Sequence, residues 1–267
     1  MLDISLHQGS SLHCHAPEVE LRLASVVSQG TGGRTLETLW QVCSHLQHLG
    51  YPVIVLDGTA QESDKAPGLQ HLLVNAPWND SAFSTGGTNT FSLAVLPAFQ
   101  GLCTLAFDMP HLSQPLQALQ PLFRRYAVVV VYASVGTLSS PLLTGTATAP
   151  LLLMEPGRLG VVASYKQLKH LAVHRGLAGT VACVAEFNDP AHLQQIHSQL
   201  KTLRQCAARH LGQHIGTTTV YAHNTQDMQR LALQLLENAG TIGAPAYAAP
   251  SPRRSLAQSY ALFSQRH

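Results

Sequence analysis

Charge is what this sequence has least of. Asp, Glu, Lys and Arg make up 11% of its 267 residues, well under the roughly 25% of an average soluble domain. The polar surface therefore has to be built largely from Gln, His, Ser and Thr, which repel other molecules weakly and favour association. Net charge is +2 with histidines neutral, and no dense Lys/Arg block stands out, so composition offers no electrostatic case for specific nucleic-acid binding. Long apolar runs are also lacking. The apolar stretches are short and interrupted, and the start Met1-Leu2-Asp3-Ile4-Ser5 has neither the basic nor the apolar region of an export signal, so a cytoplasmic protein is expected. Paired cysteines are missing too. Cys14, Cys43, Cys103, Cys183 and Cys206 are odd in number, widely spaced and mostly inside apolar runs, which excludes a disulfide framework and suits reduced core thiols.

What remains is a chain with 45% hydrophobic residues, enough to bury one sizeable core without a second domain. Apolar runs of strand length alternate with segments of helical spacing. Strands are expected at 20–28, 51–56, 91–97, 126–132, 150–154, 179–186 and 217–221, and helices at 35–49, 67–74, 159–174, 191–211 and 225–239. The Tyr126–Tyr132 run is the strongest strand signal, because small and β-branched residues in series suit a position covered on both faces. A further short strand is expected at 102–107, and a helix at 111–125 that contains Pro121. Residues 1–18 read as a leader arm, 19–244 as the domain, and 245–267 as a Pro-rich segment followed by a short helix at 255–265. The fold class is α/β: a single domain with a mostly parallel twisted sheet and helices on both faces.

The chain is organised around Leu21–Gln61, where an apolar run ends in Ser28-Gln29-Gly30-Thr31-Gly32-Gly33-Arg34-Thr35, a helix follows, and a second apolar run delivers Asp57. Glycine turns of this kind aim backbone amides at phosphate oxygens. The following helix adds its positive end, a lysine reaches the terminal phosphates, and a hydroxyl holds Mg²⁺. Here Gly30, Thr31, Gly32, Gly33, Arg34 and Thr35 are the candidate nucleotide-binding residues, and Thr35 and Asp57 the candidate metal ligands. The lysine is absent. An inherited fold element with nothing bound in it is the competing reading of the same residues.

These motifs resemble the MinD/ParA family of deviant P-loop ATPases. The family's Lys-Gly-Gly-x-Gly-Lys-Thr loop lies over Gln29 to Thr35, and its Asp-x-Asp-Pro-Gln strand end over Asp57-Gly58-Thr59-Ala60-Gln61. Its Asp-x-Pro-Pro falls on Tyr132-Ala133-Ser134-Val135, and its Thr-Pro-Glu-Pro on Leu153-Met154-Glu155-Pro156. The segment Leu93 to Ala98, followed by Gln100-Gly101-Leu102, is similar to the FlhG and BcsQ branch, which serves flagella and cellulose synthesis. The resemblance implies a P-loop NTPase-like fold, ATP or ADP with magnesium as cofactor, and protein partners in a surface-apparatus or cell-pole system. Four family groups are replaced, however. The matching positions are Gln29 for the lysine that crosses the dimer, Arg34 for the loop lysine, Thr59 for the water-orienting carboxylate and Tyr132 for the carboxylate behind the metal. Losing transition-state charge stabilisation at one position typically slows such chemistry by about 10²- to 10³-fold, and a planar guanidinium does not replace an ammonium in a tight loop. The expectation is a pseudo-ATPase acting as regulator or scaffold, with nucleotide absent or weakly bound; the alternative is a nucleotide-binding switch that does not hydrolyse efficiently. A homodimer, if formed, is expected to be independent of nucleotide.

Other residues invite metal readings. His13-Cys14-His15 is too compact to converge on one ion without a matched second pair. His170 and His174 lie four apart on one helix face, without an acidic or thiol partner at suitable spacing. The 255–265 helix carries Leu256, Tyr260 and Phe263 with Arg253, Arg254 and Arg266 near its ends, a pattern that implies at most weak membrane contact and fits docking on its own domain better. The Asp-Gln-Ala-x-x-Leu-Arg motif by which FlhG-type proteins activate their GTPase partner is not in the leader.

Overall fold

The computed structural model describes residues 20–29, 33–75, 93–108, 114–186 and 190–242. Its centre is β4 (Val128–Ala133), buried along its whole length. β1 (Leu21–Val27) and β2 (Val53–Asp57) flank it in parallel, with Val26 and Asp57 both paired to Tyr132. β-branched side chains on both faces suit this doubly covered position. With β3 (Ala94–Pro97), β5 (Leu151–Met154), β6 (Thr180–Ala185) and β7 (Gly216–Tyr221), the parallel order is β3-β2-β4-β1-β5-β6-β7.

Among the described residues one strand runs the other way. β8 (Gly240–Ile242) pairs antiparallel with Leu21–Leu23, while β5 meets β1 only at Val26 and Val27. The flank of β1 that does not face β4 is thus shared: β5 takes its carboxyl half and β8 its amino half. No sequence pattern announced β8, because three residues carry no readable period.

Strand alternation divides the core into two layers. On one face, α1 (Gly33–His48) and α7 (Thr225–Glu237) cover Ala24, Val26, Val55, Val130 and Tyr132 with Leu39, Val42, Cys43, Leu46, Leu231 and Leu235. On the other face lie α2 (Leu69–Val74), α3 (Phe99–Cys103), α4 (Val135–Leu138), α5 (Arg158–Arg175) and α6 (Pro190–Leu211). Local chemistry sets the helix ends: Asn224 Oδ1 accepts from Gln226 N and Asp227 N at the start of α7, and Gly176 closes α5 at φ 65°, a left-handed backbone that glycine takes without a Cβ penalty.

Two expectations are corrected. Residues 102–107 are helical rather than a strand: α3 runs into a π turn at Thr104–Asp108. Leu102, Leu105 and Ala106 are buried together, a three-and-four spacing that only a helix brings to one side. Of the helix expected over 111–125, the described residues from 114 on form a 3₁₀ turn, Pro115–Leu119, because Pro121 has no amide hydrogen to continue it. Leu116, Leu119 and Phe123 are buried all the same. The leader arm, His13-Cys14-His15 and the 255–265 helix lie outside the described residues. Among the described residues no helix is long and apolar enough to cross a membrane.

Candidate functional site

The chain leaves β1 toward β2 on one side and leaves β4 toward β5 on the other, so the sheet reverses its winding between the carboxyl ends of β1 and β4. Open α/β sheets bind ligands at such a switch point. The candidate residues gather there. Gln29 follows β1, Thr35 lies in the first turn of α1, Asp57 ends β2 and Tyr132 comes next to last in β4. Gly30, Thr31 and Gly32 lie outside the described residues. Gly33 and Arg34 open α1, but the Arg34 side chain also falls outside the description.

Thr35 is buried, at 4% exposure. Asp57 is half-buried, and its Oδ1 accepts both the Thr59 amide at 2.9 Å and the Thr59 hydroxyl at 2.6 Å. This is an Asx turn, in which an aspartate ties down the backbone two residues on. The Thr59 hydroxyl is thereby committed to holding Asp57. Tyr132 is 8% exposed and packs in the α1-side cluster with Val26 and Leu39. Its ring therefore packs under α1, at the strand position paired with Asp57. Gln29 Nε2 donates to Gln167 Oε1 of α5 at 3.3 Å, which ties the segment after β1 to its own chain.

Sequence reasoning overlooked two residues here. Gly58 N donates to Tyr132 O at 2.8 Å, and a Cβ on Gly58 would stand 2.8 Å from Ala133 Cβ and from Leu102 Cδ1; only glycine lets the chain after β2 press so closely on the end of β4. Glu62 is the other. Its Oε2 accepts Gln70 N of α2 at 2.6 Å and its Oε1 accepts Gly101 N of α3 at 2.9 Å, so one carboxylate caps two helices whose own N-caps, Gly68 and Ala98, make no side-chain bond. A glutamate outside any motif gave no signal of this, since both partners come from later in the chain.

Metal chemistry finds few donors. Among the described residues no group of three His, Cys, Asp or Glu is arranged to hold an ion. His170 and His174 stack at 4.2 Å between ring centroids without a third ligand among the described residues. For a magnesium nucleotide, Thr35 and Asp57 offer one hydroxyl and one carboxylate already sharing an oxygen with Thr59. The neighbouring position adds a buried phenol in place of a second anion, so the described residues fit a hydrolytic magnesium centre poorly.

Comparison with solved structures finds the same architecture. Cobyrinic acid a,c-diamide synthase from Mycobacterium smegmatis, with bound ATP analogue and magnesium, matches at 16% identity and TM-score 0.53, over 81% of this chain and 95% of that one. The pNOB8 ParA protein matches at 10% identity and TM-score 0.50, over 82% and 99%. The chain has a P-loop NTPase-like fold. The MinD cell division protein of Aquifex aeolicus is also similar, at 14% identity and TM-score 0.48, over 82% and 97%. No protein-family model matches the sequence, and no curated protein does. At these identities the likeness concerns the fold, and function has to be argued from the side chains.

Proposed function

We propose that this protein is a non-hydrolysing MinD/ParA-like regulator or scaffold that works by binding other proteins, in placing or assembling a cell-surface apparatus such as a flagellum or a polysaccharide synthase. Tyr132 carries the reading. A phenol buried at 8% exposure stands beside Asp57 where the family resemblance requires an anion behind the metal, and a buried aromatic ring cannot neutralise or orient a cation as a carboxylate does. Two further side chains support it. Thr59 spends its hydroxyl on Asp57, and Gln29 is bonded to Gln167 within the chain, so neither is free for water activation or for a nucleotide bridging two copies. The test is ATP turnover by the purified chain: no rate above background is expected, and turnover that disappears in Arg34→Ala overturns the reading.

A second reading is favoured by the surviving glycine turn and by the ATP analogue and magnesium in the similar synthase. In it, loop amides bind ATP or ADP and the protein changes partner or oligomeric state without hydrolysis. Specific binding to the folded state stabilises it by mass action, so a thermal shift with millimolar Mg-ATP supports this second reading and its absence removes it. Under the scaffold reading any homodimer forms without nucleotide, and light scattering that finds a dimer only with ATP contradicts it.

A further inference from the structure

α5 is apolar on two sides. Its inner side buries Ser164, Leu168 and Leu171 against the sheet. Its outer side carries Leu159, Val162 and Val173 at 86%, 45% and 67% exposure, with Lys166 and Lys169 exposed between them. These five residues follow one another at intervals of three, four, three and four, the seam spacing by which one helix packs along another. At 100° per residue they fall within a single strip of the outer face. No Asp or Glu occurs anywhere in α5 or in α6, which packs beside it, and α6 exposes Lys201, Arg204 and Arg209. In a chain of net charge +2, this layer is a local concentration of positive charge.

We infer that the outer strip of α5 (Leu159, Val162, Lys166, Lys169 and Val173) is a docking seam for an acidic amphipathic helix of a partner protein. Apolar side chains of that helix would cover Leu159, Val162 and Val173, and its carboxylates would meet Lys166 and Lys169 at the middle of the seam. The inference goes beyond the scaffold reading by naming where a partner binds and its chemistry, and it does not involve the glycine turn.

Charge decides among the occupants. A second copy of α5 packed on the first would set Lys166 against Lys166, and like charges at a seam repel. The chain's own 255–265 segment contains no acid and is flanked by Arg253, Arg254 and Arg266, so it repels the same lysines. Nucleic acid would satisfy the lysines but gain nothing from a leucine 86% exposed. A lipid surface would receive the apolar ends, but the lysines lie in the middle of the strip, where the insertion would be deepest, rather than along its margins. A helix with acids at its centre meets both demands.

The test uses the full chain and a synthetic three-heptad peptide with leucine at the outer seam positions and glutamate at the central ones. A second peptide carries lysine in place of those glutamates. Fluorescence anisotropy should show saturable binding of the glutamate peptide, weakened at least about tenfold in Lys166→Glu/Lys169→Glu and in Val162→Ser/Val173→Ser. The charge-reversed protein should in turn bind the lysine peptide. All five residues face solvent, so circular dichroism and melting should confirm that the variants stay folded. Failure of the glutamate peptide to bind, or binding indifferent to these substitutions, overturns the proposal. So does a result in which random-sequence DNA or phosphatidylserine vesicles bind through the same residues and the glutamate peptide does not. ATP turnover assayed on the same samples reports on the scaffold reading alone, so either conclusion can fail without the other.

Discussion

Two carboxylates five residues apart, on either side of the turn that follows β2, are used in opposite ways. Glu62 faces the layer of α2 and α3 and its carboxylate bonds backbone amides eight and 39 residues away; Asp57 faces the α1 side, and among the described residues its carboxylate bonds Thr59, two residues on. The first is a structural joint between elements that meet late in the chain. The second serves its own turn, at the carboxyl edge where this fold class puts ligands. A carboxylate that the wider fold does not require, held at such an edge, is open to another use, and the contrast separates what maintains the architecture from what remains available for function.

The sharpest attempt to break that contrast is to place an anion at Tyr132, beside Asp57. Tyr132→Asp removes a buried ring and places a carboxylate in an apolar cluster, so a loss of at least ~3 kcal/mol is expected in urea denaturation, with no gain in ATP turnover. If the substitution is tolerated and hydrolysis returns, the α1 side keeps a working metal pocket. Next comes Glu62→Ala, which strips a cap from α2 and from α3 at once and should lower stability by about 2–3 kcal/mol. Glu62→Gln, able to accept at only one position, should lose about half of that.

The two faces can also be compared through their thiols. Burial pushes both Cys43, on the α1 side, and Cys183, on the opposite side, up from 9.0 to about 12. Between those values the unfolded chain holds fewer protons than the folded one, so stability is complete below pH 9 and falls as pH rises toward 12. A loss of about 1 kcal/mol per thiol per pH unit is expected, and Cys43→Ala and Cys183→Ala should each flatten part of the slope in denaturation at about pH 9 to 11. A slope cut by only one of them would show that one face admits water. The smallest effect is expected for Asp57→Ala, below ~1 kcal/mol, since only a local turn is lost. If it destabilises as much as Glu62→Ala, the contrast between the two carboxylates is wrong.

Much of the architecture was legible from local patterns. Val128–Val131 announced a strand covered on both sides, the apolar spacing of Leu39, Cys43 and Leu46 announced α1, and Asp57 was expected at the end of its strand. The failures share a cause. Leu102–Phe107 looked extended because its apolar content is dense, and only the burial of Leu102, Leu105 and Ala106 in one cluster made it helical. The helix expected at 111–125 contains Pro121, and the described residues there form a 3₁₀ turn instead. The site was half legible. Gln29, Thr59 and Tyr132 could be singled out by their place in the sequence, whereas their contacts could not be read: a bond to Gln167, a bond to Asp57, and a place in the core.

The sequence by itself determined which segments were strand and which helix in most of the domain, and that the glycine turn after β1 is followed by Arg34 rather than a lysine, because periodicity and residue identity are local properties. Tertiary structure alone decided that β8 would share the flank of β1, that Glu62 would join two helices, and that the outer side of α5 would remain uncovered. Each of these depends on which distant surfaces meet, and a linear pattern carries no record of the partner until packing selects it.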